Sequence, residues 1–142
     1  MNANPSSKPL GALTSRGLLK VLLVDDDPLQ LDLISEILRG LGILGITLAS
    51  SGPQALQKVG GRPDAFHLVL LDLHMPGMDG FQCMESLAQA GFTGALIIVS
   101  GQSDDVMHAA TLVARLRRFT LLGSIAKPVE RAALSNLLNT IC

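Results

Sequence analysis

The sequence predicts an α/β fold in which one parallel sheet carries helices on both faces. Five short, almost entirely apolar runs alternate with stretches whose apolar residues recur at helical spacing. Continuous apolar runs are typical of strands in a sheet that is buried on both faces. Parallel neighbours need right-handed crossover connections, and the intervening helices provide them. Polar residues follow four of the five runs, which directs attention to one edge of this sheet.

Strands are predicted at 18–24, 43–49, 67–72, 95–99 and 121–126. The first helix is predicted to begin at Pro28, with Asp27 as its N-cap, and to end at Gly40 and Gly42. A second, shorter helix begins after a Ser/Gly-rich turn and ends at Gly60.

Three more helices complete the predicted order. One covers 81–90 and stops at Gly91, with Asp79 and Gly80 serving its turn and cap. The next covers about 104–118, with acidic residues at its positive end and arginines at its negative end. Those arginines, interpreted as a solvated helix end, are Arg115, Arg117 and Arg118. The last helix, at 129–141, follows a break at Lys127 and Pro128.

The length of 142 residues fits one domain that buries roughly two thirds of its unfolded surface. Residues 1–17 are rich in Asn, Pro, Ser and Gly without apolar periodicity, which predicts a flexible leader. The folded domain is therefore expected over 18–142.

Composition argues against several classes of partner. Eleven basic residues nearly balance twelve acidic ones, and there is no Trp or Tyr, so neither direct nucleic-acid binding nor attachment to an anionic membrane is expected. No apolar stretch approaches the ~20 residues that span a bilayer. Cys83 and Cys142 form no disulfide framework or zinc motif, which favours a reducing cytoplasm, with Cys83 as a packed thiol.

Polar side chains at four strand ends predict a metal site. In an open parallel sheet, ligands bind outside the carboxyl ends of the strands, where these side chains would gather. The residues are Asp25, Asp26, Asp72, Ser100 and Lys127. Three carboxylates held close together repel one another unless a cation is present, and an oxygen-only donor set suits Mg²⁺, or Mn²⁺ in its place.

The same residues could support phosphoryl transfer. A carboxylate can act as a nucleophile toward phosphorus, while a metal and a lysine neutralise charge on the phosphoryl oxygens. Asp72 is the expected acceptor because it ends the central strand, and Asp25 and Asp26 would then hold the metal. Ser100 could donate a hydrogen bond to the phosphoryl group, and Lys127 could pair with it.

Four segments together resemble the receiver domain of two-component response regulators. They are VLLVDDDP, LVLLDLHMPGMDGF, IIVSG and IAKPV, in this order near the ends of the first, third, fourth and fifth predicted strands. The resemblance covers about residues 18–142 and implies a flavodoxin-like (βα)₅ fold with strand order 2-1-3-4-5.

The resemblance also implies a role for each site residue. Asp72 would be the phosphoacceptor, Asp25 and Asp26 the acidic pair, and His74 the donor of a backbone carbonyl to the metal. Ser100 would be the switch hydroxyl and Lys127 the lysine of the site.

Phosphate would come from a sensor histidine kinase or a phosphotransfer protein. The domain would pass the signal to an output domain, an effector protein or a second copy of itself. It would assist only its own phosphorylation and dephosphorylation, so the resemblance implies a phosphoacceptor signalling domain and not an enzyme.

Two features depart from the family pattern. An aromatic residue usually lies three positions before the lysine of the fifth strand, but here that position is Ser124, which puts an aromatic switch in doubt. The segment from Ser100 to Lys127 is also longer than usual, with the additional residues around 113–120. In this respect the chain looks like receivers attached to EAL-type cyclic-di-GMP phosphodiesterase domains.

Two other functions compete with a phosphoacceptor switch. An aspartate-nucleophile phosphatase would need a second Asp two residues beyond Asp72, but His74 occupies that position. A receiver-like scaffold that no longer switches is the other alternative, motivated by Ser124.

Overall fold

Five strands and five helices alternate in the computed structural model, which describes residues 15–62, 64–75, 77, 79–101 and 103–142. The strands are β1 (Lys20–Val24), β2 (Gly45–Ala49), β3 (Leu68–Asp72), β4 (Ala95–Ser100) and β5 (Thr120–Ala126). The helices are α1 (Pro28–Gly40), α2 (Gly52–Val59), α3 (Gly80–Gln89), α4 (Asp104–Leu116) and α5 (Arg131–Leu138). No helix among the described residues is long and apolar enough to cross a membrane.

The strands form one parallel sheet in the order β2-β1-β3-β4-β5, which confirms the predicted fold class and strand order. Helices α1 and α5 pack on one face, and α2, α3 and α4 pack on the other. Every residue of β3 is buried because successive side chains enter the two cores alternately. This double burial explains why β3 reads as an unbroken apolar run that ends in Asp72.

The N-terminal end of the described chain differs from the predicted pattern. A short 3₁₀ helix at Arg16–Leu18 precedes β1, so Leu18 does not belong to the strand and is 71% exposed. The Arg16 guanidinium donates hydrogen bonds to the Leu41 carbonyl at 2.9 Å and to Asn139 Oδ1 at 2.6 Å. It thereby satisfies a carbonyl at the C-terminus of α1. The rest of the predicted leader, 1–14, lies outside the described residues.

The last helix is shorter than the predicted 129–141. Glu130 has an extended backbone (φ −105°, ψ 144°) and forms the N-cap, so α5 begins only at Arg131. The Lys127–Pro128 peptide bond before it is cis. Beyond Leu138 the chain continues as a turn that holds Ile141 in the core.

Three helices end in the same Schellman arrangement. After α1, Gly42 is left-handed (φ 93°) and the Ile43 N–H donates to the Leu38 carbonyl at 3.0 Å. After α3, Gly91 and Phe92 repeat this geometry. After α4 the left-handed position is occupied by Arg118 (φ 63°), while the Phe119 N–H donates to the Ala114 carbonyl at 3.0 Å. Phe119 is buried against Phe92, with ring centroids 6.2 Å apart, so packing holds Arg118 in this conformation.

Replacing Arg118 with Gly is expected to stabilise the domain by about 0.5–1 kcal/mol, because glycine adopts a positive φ without steric penalty. Urea unfolding followed by circular dichroism measures the difference. Arg115→Gly is the control, since a glycine inside the last turn of α4 should cost roughly 1 kcal/mol. Destabilisation by both substitutions would contradict the strain assigned to Arg118.

Candidate functional site

The carboxyl ends of four strands bring the predicted site residues to one edge of the sheet. Asp25 directly follows β1, and Asp72 is the last residue of β3, in register with Val99 of β4. Ser100 ends β4, and its carbonyl accepts a hydrogen bond from the Lys127 N–H at 3.0 Å. The parallel register therefore gathers side chains that are more than 100 residues apart in sequence.

Three carboxylates form a compact acidic cluster at this edge. One oxygen each of Asp25, Asp26 and Asp72 lies within 4.8 Å of the others. Asp25 is 1% exposed and Asp72 is 3% exposed, whereas Asp26 faces solvent. The cluster therefore has a buried floor and one exposed member.

Lys127 provides the positive charge beside the two buried carboxylates. Its Nζ lies 2.9 Å from Asp25 Oδ2 and 3.4 Å from Asp72 Oδ1. Desolvation alone would lower the pKa of Lys127, but the hydrogen bond that Lys127 donates to Asp25 and the charges of both carboxylates outweigh it and raise the pKa. Lys127 is therefore a cation at neutral pH.

The surroundings of Asp72 disfavour the ionised form of its carboxyl group. Burial and, secondarily, the nearby charge of Asp25 raise the pKa of Asp72 from 3.8 to about 6. Lys127 and the backbone N–H of His74 act in the opposite direction and lower it, but they do not compensate fully. An added cation at this position would relieve a penalty that Lys127 offsets only in part.

Backbone donors fix the orientation of the buried carboxylates. The N–H of Asp27 donates to Asp25 Oδ1 at 2.9 Å, and the N–H of His74 donates to Asp72 Oδ1 at 3.3 Å. The side chain of Asp27 instead accepts from the Leu29 N–H at 2.9 Å, which confirms its predicted role as the N-cap of α1.

The donor set fits a hard divalent cation. It consists of carboxylate oxygens, with no histidine or cysteine side chain among the three residues. Mg²⁺ takes few protein carboxylates and keeps several waters, which a cluster with an exposed member such as Asp26 permits. Asp25, Asp26 and Asp72 are therefore the residues that could hold the metal.

The remaining predicted residues lie in different surroundings. Ser100 is fully buried at the end of β4. His74 is exposed, two residues beyond Asp72. Ser124 pairs in register with Ile98 and is exposed, in a part of β5 that follows a register shift. The shift leaves Leu122 as an additional residue between Leu121 and Gly123.

One contact in the site region does not follow from the sequence pattern. The sequence predicts that Asp79 and Gly80 serve the turn and cap of α3, and Asp79 does form the N-cap there, with Gln82 completing a capping box. However, Gly80 also packs directly against the backbone of Asp72 and Leu73. An Asp-Gly pair before a helix signals a cap, but no local pattern reveals what the glycine touches across the loop.

The fold and the site define a doubly wound α/β domain with a carboxylate and lysine centre at the strand ends. Residues 21–139 match the family described as response regulator receiver domain, and the chain belongs to this family. It is thus a receiver domain of the two-component phosphorelay type, a phosphoacceptor signalling domain.

The chain is also similar to a segment of a named histidine kinase. The chain is 31% identical over 129 residues to the signal transduction histidine-protein kinase BarA of Escherichia coli (strain K12), a match that covers 87% of this chain. It spans only 13% of the length of that relative.

Solved structures share the fold. A response regulator receiver domain protein from Clostridium thermocellum has a TM-score of 0.74 and 25% identity, covering 87% of this chain and 94% of that chain. A response regulator from Colwellia psychrerythraea has a TM-score of 0.73 and 26% identity, covering 87% of this chain and 95% of that chain.

Replacing Asp72 with Asn is expected to stabilise the metal-free domain at pH 7 by about 1–3 kcal/mol, because ionised Asp72 is disfavoured in the folded state. The pKa of Asp72 is about 6 when folded and 3.8 in its ordinary state. Its protonation therefore favours folding, and the wild type should gain stability relative to Asp72→Asn as the pH falls from 7 through 6 toward 4. Urea unfolding in the presence of a metal chelator at each pH measures the difference in the free energy of unfolding between the two proteins. A variant less stable than the wild type at pH 7 would contradict this assignment.

Proposed function

We propose that Asp72 accepts a phosphoryl group from a phosphohistidine in a reaction that depends on Mg²⁺. The observation that supports this most directly is the environment of Asp72. It is a buried carboxylate grouped with Asp25 and Asp26, and Lys127 Nζ lies 3.4 Å from its Oδ1. Such a group is poised to attack phosphorus while charge on the phosphoryl oxygens is neutralised beside it.

The proposed transfer is a single displacement at phosphorus. An oxygen of Asp72 forms a bond to phosphorus while the bond from phosphorus to the histidine nitrogen breaks, and that nitrogen keeps the electron pair. Lys127 pairs with the phosphoryl oxygens, and Ser100 donates a hydrogen bond to one of them once transfer is complete. Bound Mg²⁺ would be held by Asp25, Asp26 and Asp72, with the His74 carbonyl, and would supply charge neutralisation for the phosphoryl oxygens.

The proposed phosphodonor is a sensor histidine kinase or a phosphotransfer protein. Support comes from the family and from relatives that are themselves named histidine kinases. Downstream, the domain would act on an output domain, an effector protein or a second copy of this chain. Its catalytic contribution is limited to its own phosphorylation and dephosphorylation, and the reducing cytoplasm stays the predicted compartment.

Phosphorylation would shift the balance between two conformations of the segment from Ser100 to Lys127, which contains α4 and β5. Since Ser124 is small and exposed, the signal would depend on displacement of the backbone and of α4 and not on an aromatic rotation.

Phosphorylation is tested with radiolabelled acetyl phosphate and Mg²⁺. The wild type should acquire an acid-stable, base-labile label, and Asp72→Asn should acquire none, because the variant lacks the nucleophilic oxygen. Asp27→Asn is the matched control, since Asp27 lies in the same acidic loop but caps α1. Labelling of Asp72→Asn at the wild-type level would refute Asp72 as the acceptor. Turnover of phosphomonoesters by the wild type would instead support the phosphatase alternative.

Ser100→Ala is expected to be phosphorylated at Asp72 but to lose most of the conformational response, because it lacks the hydroxyl that would bond the phosphoryl group. Amide hydrogen exchange with and without beryllofluoride, a phosphoryl mimic, measures this response over 103–126. In the wild type the mimic should slow exchange there, and in Ser100→Ala the change should be largely absent. An equal response in both proteins would exclude Ser100 as the switch, and no response in either would support the non-switching scaffold.

A further inference from the structure

The start of α3 lies in unusually close contact with the backbone that carries Asp72. A Cβ atom added to Gly80 would lie 2.5 Å from Leu73 Cα, 2.8 Å from Leu73 Cδ2 and 2.9 Å from the Asp72 carbonyl oxygen. Two of these neighbours are backbone atoms, which cannot rotate away as the end of a side chain can. Gly80 does not adopt a positive φ, so the requirement for glycine here is spatial and not conformational.

A hydrogen bond reinforces this contact. The Gly80 N–H donates to the Leu73 carbonyl at 2.9 Å, and the Leu73 N–H donates to the Val99 carbonyl of β4 at 3.3 Å. Leu73 is itself only 3% exposed. Its peptide groups are therefore held between β4 on one side and the first residue of α3 on the other.

The residues on either side of Leu73 carry the geometry of the site. Asp72 precedes it and places Oδ1 3.4 Å from Lys127 Nζ. His74 follows it and donates its N–H to Asp72 Oδ1 at 3.3 Å. A shift of Leu73 would consequently move both the carboxylate and the backbone of His74.

We propose that Gly80 is a positioning residue for phosphoryl transfer: its lack of a side chain lets α3 seat against Leu73 and so hold Asp72 and the His74 backbone in place. This inference rests on the proposed function. A methyl group at Gly80 would push Leu73 away by about 1 Å, and a displacement of that size at a reacting group can lower a rate by about 100-fold.

The test compares Gly80→Ala with Gly94→Ala. A Cβ at Gly94 would be similarly crowded, 2.6 Å from Phe92 Cζ and 2.8 Å from the His67 carbonyl oxygen. However, Gly94 precedes β4, at the edge of the sheet opposite to Asp72. Both substitutions should destabilise the fold, but only Gly80→Ala should disturb the site.

Two quantities are measured at a temperature where each variant is folded: the dissociation constant for Mn²⁺, from the electron paramagnetic resonance signal of the free ion, and the rate of labelling by acetyl phosphate. Gly80→Ala should bind Mn²⁺ at least about tenfold more weakly than the wild type and label about 100-fold more slowly. Gly94→Ala should keep wild-type values for both.

Equal effects of the two substitutions would overturn the positioning role and leave the proposed function intact. A wild type that neither binds Mn²⁺ nor becomes labelled would overturn the proposed function, and this inference with it.

Exchange of the Gly80 amide in the wild type provides a measurement that needs no variant, should Gly80→Ala fail to fold. If this contact belongs to the site, bound Mg²⁺ must stabilise it. Mg²⁺ should then slow hydrogen exchange of the Gly80 amide about tenfold more than that of the Phe92 amide. The Phe92 N–H donates to the Leu87 carbonyl at the far end of α3. Equal slowing of the two amides would overturn the inference.

Discussion

Burial of the Asp25 and Asp72 carboxylates, together with their mutual repulsion, is the constraint on which the arrangement of the site depends. Two anions with 1% and 3% exposure cannot rely on water for stabilisation. The protein instead supplies one lysine ammonium between them and one backbone N–H to each. These groups leave the pKa of Asp72 raised to about 6, so the balance is incomplete. An incompletely neutralised site favours the arrival of a cation, and a fully neutralised one would not.

The topology of the sheet creates this repulsion. In a parallel sheet the ends of β1 and β3 lie at the same edge, so a carboxylate after each strand brings the two charges together. Burial follows because both faces of the sheet are covered, α1 and α5 on one side and α2 to α4 on the other. The fold therefore concentrates charge where solvent is excluded, and its stability must offset that cost.

The sequence allowed the fold and the composition of the cluster to be predicted because both depend on repeated or strand-end signals. The fully buried β3 is visible as an apolar run, and the ends of α1 and α3 are marked by Gly42 and Gly91. By contrast, Arg118 takes the same left-handed position through the burial of Phe119 against Phe92, a contact between distant residues. The role of Gly80 was missed for the same reason, since its neighbour Leu73 lies across a loop. The start of α5 could not be placed because Val129 and Glu130 have no strong preference against a helix.

The two sides of the site are held in different ways, and this difference bears on how a signal would leave it. Asp25 follows β1 and Asp72 ends β3, and each carboxylate accepts a backbone hydrogen bond. The backbone of Asp72 also lies against Gly80. The Lys127 N–H donates a main-chain hydrogen bond of 3.0 Å to the Ser100 carbonyl. Lys127 follows β5, which is an outermost strand of the sheet. An edge strand has a neighbour on one side only, and β5 also contains a register shift before Ser124. A displacement of the Ser100 main chain would therefore be transmitted through this hydrogen bond to Lys127 and the end of β5.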